Sequence, residues 1–129
     1  MSLDDPKRRD INVAHQVSVH EIVGDIKGRL CVLVDDMIDT AGTICAAADA
    51  LYDNGAAEVI IVSTHAVFSG PAIDRLKNSR VSQVIVTDTL PLAQERRFDK
   101  LTVLSVAPIV ARAISEVFED GSVTSMFED

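Results

Sequence analysis

Three aspartates and two threonines follow an apolar run within a span of nine residues, and these side chains suit a sugar phosphate. Asp35 and Asp36 end the run, and Asp39, Thr40 and Thr43 come shortly after them. Carboxylates only accept hydrogen bonds, so they suit the adjacent hydroxyls of a ribose, which donate them. Hydroxyl and backbone N–H groups suit the acceptor oxygens of a phosphate. The residue types therefore indicate a ribose-phosphate site.

The small residues in this loop allow a phosphate to approach the backbone. Ala41 and Gly42 carry little or no side chain, so several N–H groups can face one anion. The loop opens a predicted helix, whose free N–H groups and positive dipole end stabilise negative charge by about 0.3–1 kcal/mol. Three carboxylates beside a phosphate repel one another, so the site requires cations, either Mg²⁺ or nearby arginine and lysine side chains.

Apolar strands alternate with amphipathic helices along the chain, and these elements must position the loop. Strands are predicted at residues 17–23, 30–34, 58–63, 84–87 and 101–106. Helices are predicted at residues 43–53, 69–78 and 108–118. This order predicts an α/β fold, with a parallel sheet that helices cover on both faces. Such sheets bind ligands at the carboxyl ends of their strands, where the aspartates lie.

The adjacent position of Asp35 and Asp36 restricts where their strand can end. Neighbouring residues of an extended strand point to opposite faces of the sheet. Asp35 and Asp36 can therefore face one ligand only if the strand stops between them, and we expect it to end there.

Composition and charge restrict the class of protein. The chain has 129 residues, 47% of them hydrophobic, which predicts one globular domain. A net charge of −8 argues against nucleic-acid binding, which needs a basic face. Cys31 and Cys45 lie in apolar surroundings without metal-type spacing and are predicted to be free thiols of a reducing compartment. No apolar run approaches the roughly 18 residues of a membrane span, so a cytoplasmic protein is expected.

The segment from Val32 to Thr43 resembles the phosphoribosyl-pyrophosphate (PRPP) binding motif, which type I phosphoribosyltransferases share with ribose-phosphate pyrophosphokinases, the PRPP synthetases. Further segments resemble the C-terminal part of the bacterial synthetases and occur in the same order: Lys7-Arg8-Arg9, Gly24-Asp25, Thr64-His65, Ser69-Gly70-Pro71, residues 86–89 and residues 121–127. The resemblance covers nearly the whole chain and implies a type I phosphoribosyltransferase-like fold. Because the synthetases are much longer, we expect this domain to be incomplete and the chain to be a fragment.

The resemblance implies an activity and assigns residues to it. The parent enzyme would transfer diphosphate from ATP to ribose 5-phosphate, giving PRPP and AMP with Mg²⁺, which is held mostly by substrate and by residues outside this chain. Asp35 and Asp36 would hold the ribose hydroxyls, and residues 39–43 the 5-phosphate. Lys7 and Arg9 would lie on a mobile loop and stabilise charge developing between the transferred phosphoryl group and the leaving AMP. The isolated fragment is predicted to be inactive.

The resemblance also implies domain limits and regulation. Residues 1–16 would comprise a leader and the remnant of the mobile catalytic loop, and residues 17–129 the C-terminal ribose-phosphate-binding domain. Ser122, Thr124 and Phe127 match a regulatory phosphate and nucleotide site at a subunit interface, and the family resemblance implies a homo-oligomer, a hexamer. No nucleic-acid or membrane partner is expected.

Several alternatives stay open at this point. Without the resemblance, Lys7 and Arg9 would be a solvated basic tail. His65, at the end of a strand, is more often structural than functional, and Ser69 is first of all a helix cap. A phosphoribosyltransferase would keep the same loop but carry a nucleobase-binding hood, and no such segment is visible. A non-catalytic regulatory subunit related to the synthetase would lose parts of the phosphate loop, which is intact here.

Overall fold

The computed structural model describes residues 24–119 and contains a parallel sheet of four strands. The strands β1 (Leu30–Ile38), β2 (Glu58–Ala66), β3 (Gln83–Thr87) and β4 (Leu101–Leu104) lie side by side in chain order. Helix α1 (Gly42–Asp53) joins β1 to β2, α2 (Ala72–Asn78) joins β2 to β3, and α3 (Ala107–Phe118) follows β4. A short 3-10 turn, Gln94–Arg96, lies between β3 and β4. The predicted α/β fold with a parallel sheet is confirmed.

Five of the predicted functional residues lie outside the described part of the chain, together with the strand predicted at residues 17–23. They are Lys7, Arg9, Ser122, Thr124 and Phe127. Within the described residues, no helix combines the length and the apolar character that crossing a membrane requires.

The order of the strands determines where the covering helices lie. Each connection moves to the next strand in the same direction, and right-handed crossovers then place α1 and α2 on one face of the sheet. The core between them contains Leu33, Ile61 and Val84 from the sheet and Ala48 and Leu76 from the helices. On β1, Val32 and Val34 alternate with Leu33 and stay 52% and 69% exposed. The two helices therefore cover one face of the sheet, and the other face is exposed along β1, where the predicted covering of both faces is not found.

The strand carrying the first aspartates is longer than predicted. β1 continues through Asp35 and Asp36 to Ile38, so the expectation that it ends between the two aspartates is wrong. The cause is pairing with β2, which itself continues to Ala66, so that the two strands stay in register as far as Ile38 opposite Ala66. The sequence signal stopped earlier because the pattern of apolar residues ends before the backbone pairing does.

Two further element boundaries differ from the predicted ones because of local hydrogen bonds. α2 begins at Ala72, whose N–H donates to the Ser69 carbonyl at 3.2 Å, so Ser69 precedes the helix without being its cap. β4 ends at Leu104, two residues early, because the Val106 N–H donates to the Asp88 carboxylate at 2.8 Å instead of continuing the ladder.

Candidate phosphate-binding site

A cleft of about 300 Å³ lies at the carboxyl end of β1. Its walls come from the end of β1, the following loop and the first turn of α1: Asp35, Asp36, Met37, Ile38, Asp39, Thr40, Ala41, Thr43 and Ile44. Six of the seven residues that the sequence predicted for ribose-phosphate binding are in this lining, and Gly42 is the exception. The volume is at the lower end of the roughly 300–1,000 Å³ typical of small-ligand sites.

The loop turns into α1 through a residue in an uncommon conformation. Ala41 has φ 67° and ψ 3°, in the left-handed region, although it is an alanine and is 4% exposed. A residue with a Cβ has to overcome a cost of roughly 1–2 kcal/mol in that region. Ala41 precedes the helix without a capping side chain. Among residues 24–119, nothing accepts a hydrogen bond from the N–H of Thr40, Ala41 or Gly42.

Two carbonyl groups where the loop begins accept hydrogen bonds from the segment after β2. The Ile38 carbonyl accepts hydrogen bonds from the N–H groups of Val67 at 3.1 Å and Phe68 at 3.0 Å. The Asp39 carbonyl accepts one from the Ser69 N–H at 2.9 Å. In a trans peptide unit the C=O and the N–H point in opposite directions. These bonds therefore turn the N–H groups of Asp39 and Thr40 away from the segment after β2.

Asp35 and Asp36 interact despite lying in one extended strand. The Asp36 N–H donates to the Asp35 carboxylate at 2.8 Å. A hydrogen bond with the Asp35 side chain, and after it one from the Met37 N–H, holds the pKa of Asp36 below its ordinary value of 3.8. These hydrogen bonds therefore favour the ionised form of Asp36.

His65 has a structural partner beside this cleft. Its Nδ1 lies 2.7 Å from the hydroxyl of Thr89, and the hydroxyl of Thr87 donates to the Thr64 carbonyl at 2.6 Å. These contacts tie the loop after β3 to the end of β2. His65 also contributes a minor charge effect on Asp36. The hydrogen bond to Thr89 supports the structural interpretation of this histidine.

Gly42 contacts a different part of the molecule from its neighbours. A Cβ at this position would lie 3.1 Å from Nη1 of Arg75 and 3.9 Å from the Thr40 hydroxyl oxygen. The missing side chain therefore makes room for an arginine of α2.

Arg75 is the residue that the sequence interpretation missed. It lies on α2 and its Nη1 donates to the Thr40 carbonyl at 3.1 Å, across 35 positions of the chain. The only signal in the sequence was general: three carboxylates beside a phosphate need cations. Nothing in the local spacing showed that Arg75 is one of them. No group of three or more histidine, cysteine, aspartate or glutamate residues within 24–119 has the arrangement of a metal site.

The geometry defines an α/β protein with a candidate anion-binding loop between its first described strand and the helix that follows. A sequence profile identifies the particular family. The profile of the phosphoribosyl synthetase-associated domain matches residues 8–128, so the chain belongs to this family.

Individual relatives agree with that assignment. The ribose-phosphate pyrophosphokinase of Streptomyces coelicolor is 68% identical over 123 residues, which are 95% of this chain and 38% of that protein. The enzyme of the same name from Bifidobacterium longum is 54% identical over 122 residues, 95% of this chain and 36% of that protein. The crystal structure of phosphoribosylpyrophosphate synthetase from Mycobacterium smegmatis has a TM-score of 0.74 at 54% identity, and the match covers 77% of this chain and 33% of that one. The chain spans little more than a third of the curated relatives it matches.

Proposed function

We propose that this chain is the C-terminal, ribose-phosphate-binding part of a bacterial ribose-phosphate pyrophosphokinase. The observation that carries the proposal is the cleft at the end of β1, where carboxylates and a loop with outward-turned carbonyls line one space. The complete enzyme would transfer the diphosphate of ATP onto the anomeric hydroxyl of ribose 5-phosphate, giving PRPP and AMP. The identity of 68% to an enzyme of that name supports this choice.

In this proposal the two ends of the cleft hold the two ends of the substrate. The N–H groups of residues 39–43 and the hydroxyls of Thr40 and Thr43 donate to the 5-phosphate, close to the start of α1. Asp35 and Asp36 both line the cleft even though the strand continues between them, and they accept hydrogen bonds from the ribose hydroxyls. This arrangement fixes the sugar so that its anomeric hydroxyl faces the second substrate, and phosphoryl transfer depends on such placement.

Mg²⁺ fits the donors at the mouth of the cleft. Asp35 and Asp36 are exposed carboxylates in contact with each other, and the hydrogen bonds that lower the pKa of Asp36 favour its ionised form. Hard oxygen donors of this kind suit Mg²⁺, which also keeps water and substrate oxygens among its ligands. When bound, the ion would neutralise charge between these carboxylates and the phosphates. The protein's own residues hold the sugar hydroxyls and so keep the sugar in one position.

Lys7 and Arg9 are proposed as the groups that stabilise the charge developing during transfer, and Ser122, Thr124 and Phe127 as part of a regulatory phosphate site. These assignments rest on the family resemblance. For Lys7 and Arg9 they place cations where charge develops, which matches the general means by which phosphoryl transfer is accelerated.

We further propose that the complete protein is a cytoplasmic homo-oligomer, a hexamer by family resemblance. Two surfaces support association. One is the exposed face of β1 with Val32 and Val34, and the other is α3, where Ile114, Val117 and Phe118 are exposed by 55%, 64% and 86%. Contiguous apolar surfaces of this kind generally mark contacts with other protein. Cys31 and Cys45 are free thiols, in agreement with a reducing compartment.

The test is enzymatic and uses the complete protein that carries this domain. Incubation with ATP, ribose 5-phosphate and Mg²⁺ should yield AMP, whereas PRPP with any nucleobase should yield no nucleotide. The reverse pattern would identify a phosphoribosyltransferase, and neither product would indicate a non-catalytic subunit. The 129-residue chain alone should bind ribose 5-phosphate without forming AMP.

A further inference from the structure

We propose that Arg75 is a positioning residue for the 5-phosphate, which acts by orienting one peptide unit of the loop without contacting the ligand. The proposal deepens the proposed function, because it takes the phosphate of that site as the ligand. It assigns a purpose to an arginine that sequence patterns left without a role.

The geometry begins with the peptide between Thr40 and Ala41. Arg75 Nη1 donates to the Thr40 carbonyl oxygen at 3.1 Å. The described chain contains no cis peptide bond, so the N–H of Ala41 points in the direction opposite to that carbonyl. Ala41 lines the cleft, whereas Arg75 does not. The arginine is therefore behind the loop, and the N–H that it orients is turned toward the side where the phosphate would bind.

This peptide differs from its two neighbours in how it is held. The Ile38 and Asp39 carbonyls are fixed by backbone N–H groups of residues 67–69. Within the described part of the chain, the Thr40 carbonyl has a single donor, and that donor is a side chain. Three successive N–H groups of the loop are thus oriented by three successive carbonyl contacts. Arg75 supplies the one contact that a mutation can remove.

The backbone conformation of Ala41 explains why the loop needs the hydrogen bond from Arg75. Its φ of 67° lies in a region that alanine disfavours, so relaxation of the loop would rotate this peptide. A rotated peptide would turn the Thr40 carbonyl toward the cleft, and its oxygen would repel a phosphate oxygen. The charged hydrogen bond from Arg75 opposes that rotation, because it is broken when the carbonyl turns.

A second arginine provides a matched control for charge. Arg80 also contacts α1, but at the far end, where it donates to Asp53 at 3.0 Å and stacks on Tyr52. A helix of 12 residues is roughly 18 Å long, which exceeds the screening length of about 8–10 Å in ordinary buffers. Removing Arg80 therefore changes the net charge as much as removing Arg75 without affecting the loop.

The experiment measures ribose 5-phosphate and inorganic phosphate binding to the 129-residue chain and its variants, by calorimetry and by the amide NMR shift of Ala41. Arg75→Met should weaken ribose 5-phosphate binding roughly tenfold, the scale of one charge-assisted hydrogen bond. It should also reduce the ligand-induced shift of the Ala41 amide. Arg75→Lys should restore most of the affinity, since its ammonium can still donate to the Thr40 carbonyl. Arg80→Met should bind within about twofold of the parent chain, and raising the salt concentration should leave the difference between the two variants in place.

Three results would overturn the proposal. The first is that Arg75→Met binds ribose 5-phosphate as tightly as the parent chain. The second is that Arg75→Met and Arg80→Met lose equal affinity and that both losses vanish at high salt. The third is that the ligand shifts the Ala41 amide signal of Arg75→Met as much as it does in the parent chain. A chain that binds inorganic phosphate at the loop but not ribose 5-phosphate would overturn the proposed function and leave Arg75 testable with phosphate. If neither ligand shifts the Ala41 amide of the parent chain, both proposals fail.

Discussion

Replacement of Gly42 by valine is the perturbation for which the structure gives the clearest mechanism. A Cβ at Gly42 would lie 3.1 Å from Arg75 Nη1, while unstrained contacts between such atoms are about 3.5 Å or longer. An alanine at position 42 would therefore require the guanidinium of Arg75 to move away by a few tenths of an ångström. The two methyl groups of valine reach about 1.5 Å further, one carbon–carbon bond length. They would stretch the 3.1 Å bond from Arg75 to Thr40 beyond the roughly 3.5 Å limit of a hydrogen bond.

The energetic consequence should appear in ligand binding and not in folding. Loss of one hydrogen bond to a charged group costs about 1.5–3 kcal/mol, and the lower end applies because Arg75 is exposed. That corresponds to roughly a tenfold loss of ribose 5-phosphate affinity. Stability should change by less than about 1 kcal/mol, since valine is a slightly better helix residue than glycine and the displaced neighbour is a flexible side chain. Calorimetry and urea unfolding measure the two quantities separately.

A double-mutant cycle separates this mechanism from direct steric exclusion of the phosphate. If Gly42→Val acts through Arg75, then combining it with Arg75→Met should cost little more affinity than either change alone. If the valine instead enters the space of the phosphate, the two losses should add. Unchanged affinity in Gly42→Val would refute both mechanisms, the one through Arg75 and the steric one.

The remaining predictions concern the core, acid stability and catalysis. Leu76 is fully buried, so Leu76→Ala should lower the free energy of unfolding by about 2–5 kcal/mol in urea titrations, while Leu90→Ala, at 39% exposure, should change it by less than about 1 kcal/mol. The hydrogen bond from Val106 N–H lowers the pKa of Asp88 below 3.8, so its stabilising effect is complete above that pH and is lost as the pH falls through the lowered pKa. The stability difference between the parent chain and Asp88→Ala should therefore shrink below about pH 3.8 in acid titrations. In the complete enzyme, Lys7→Ala should lower kcat by about 10²–10³ and leave ribose 5-phosphate binding nearly unchanged, because the cation meets charge that appears mainly in the transition state.

Sequence reasoning recovered the elements of this fold because its strands are nearly continuous apolar runs. The order of strands and helices and the loop after β1 followed from that pattern. The end of β1 did not follow, because Asp35 and Asp36 continue the strand only through pairing with β2, which is a tertiary contact. The reach of β2 to Ala66 was missed for the same reason.

The sequence predicted which residues line the site but not which contacts hold the loop in its conformation. Six of the seven predicted ligand residues line the cleft, since they lie within nine positions of the sequence. The contacts that orient the loop come from residues 67–75, more than twenty-five positions further along the chain. No local spacing could indicate that Arg75 reaches the Thr40 carbonyl or that Gly42 accommodates it. The left-handed conformation of Ala41 is equally a product of that packing, since alanine alone favours other regions.

The central claim is that the loop at residues 39–43 binds the phosphate of ribose 5-phosphate, and a crystal structure of the chain with this ligand tests it most directly. We predict that the phosphate oxygens lie within hydrogen-bond distance of the N–H groups of Thr40, Ala41 and Gly42, with the ribose hydroxyls at Asp35 and Asp36. A ligand bound elsewhere would contradict the account, for example in the separate cleft lined by Lys77, Arg97 and Lys100.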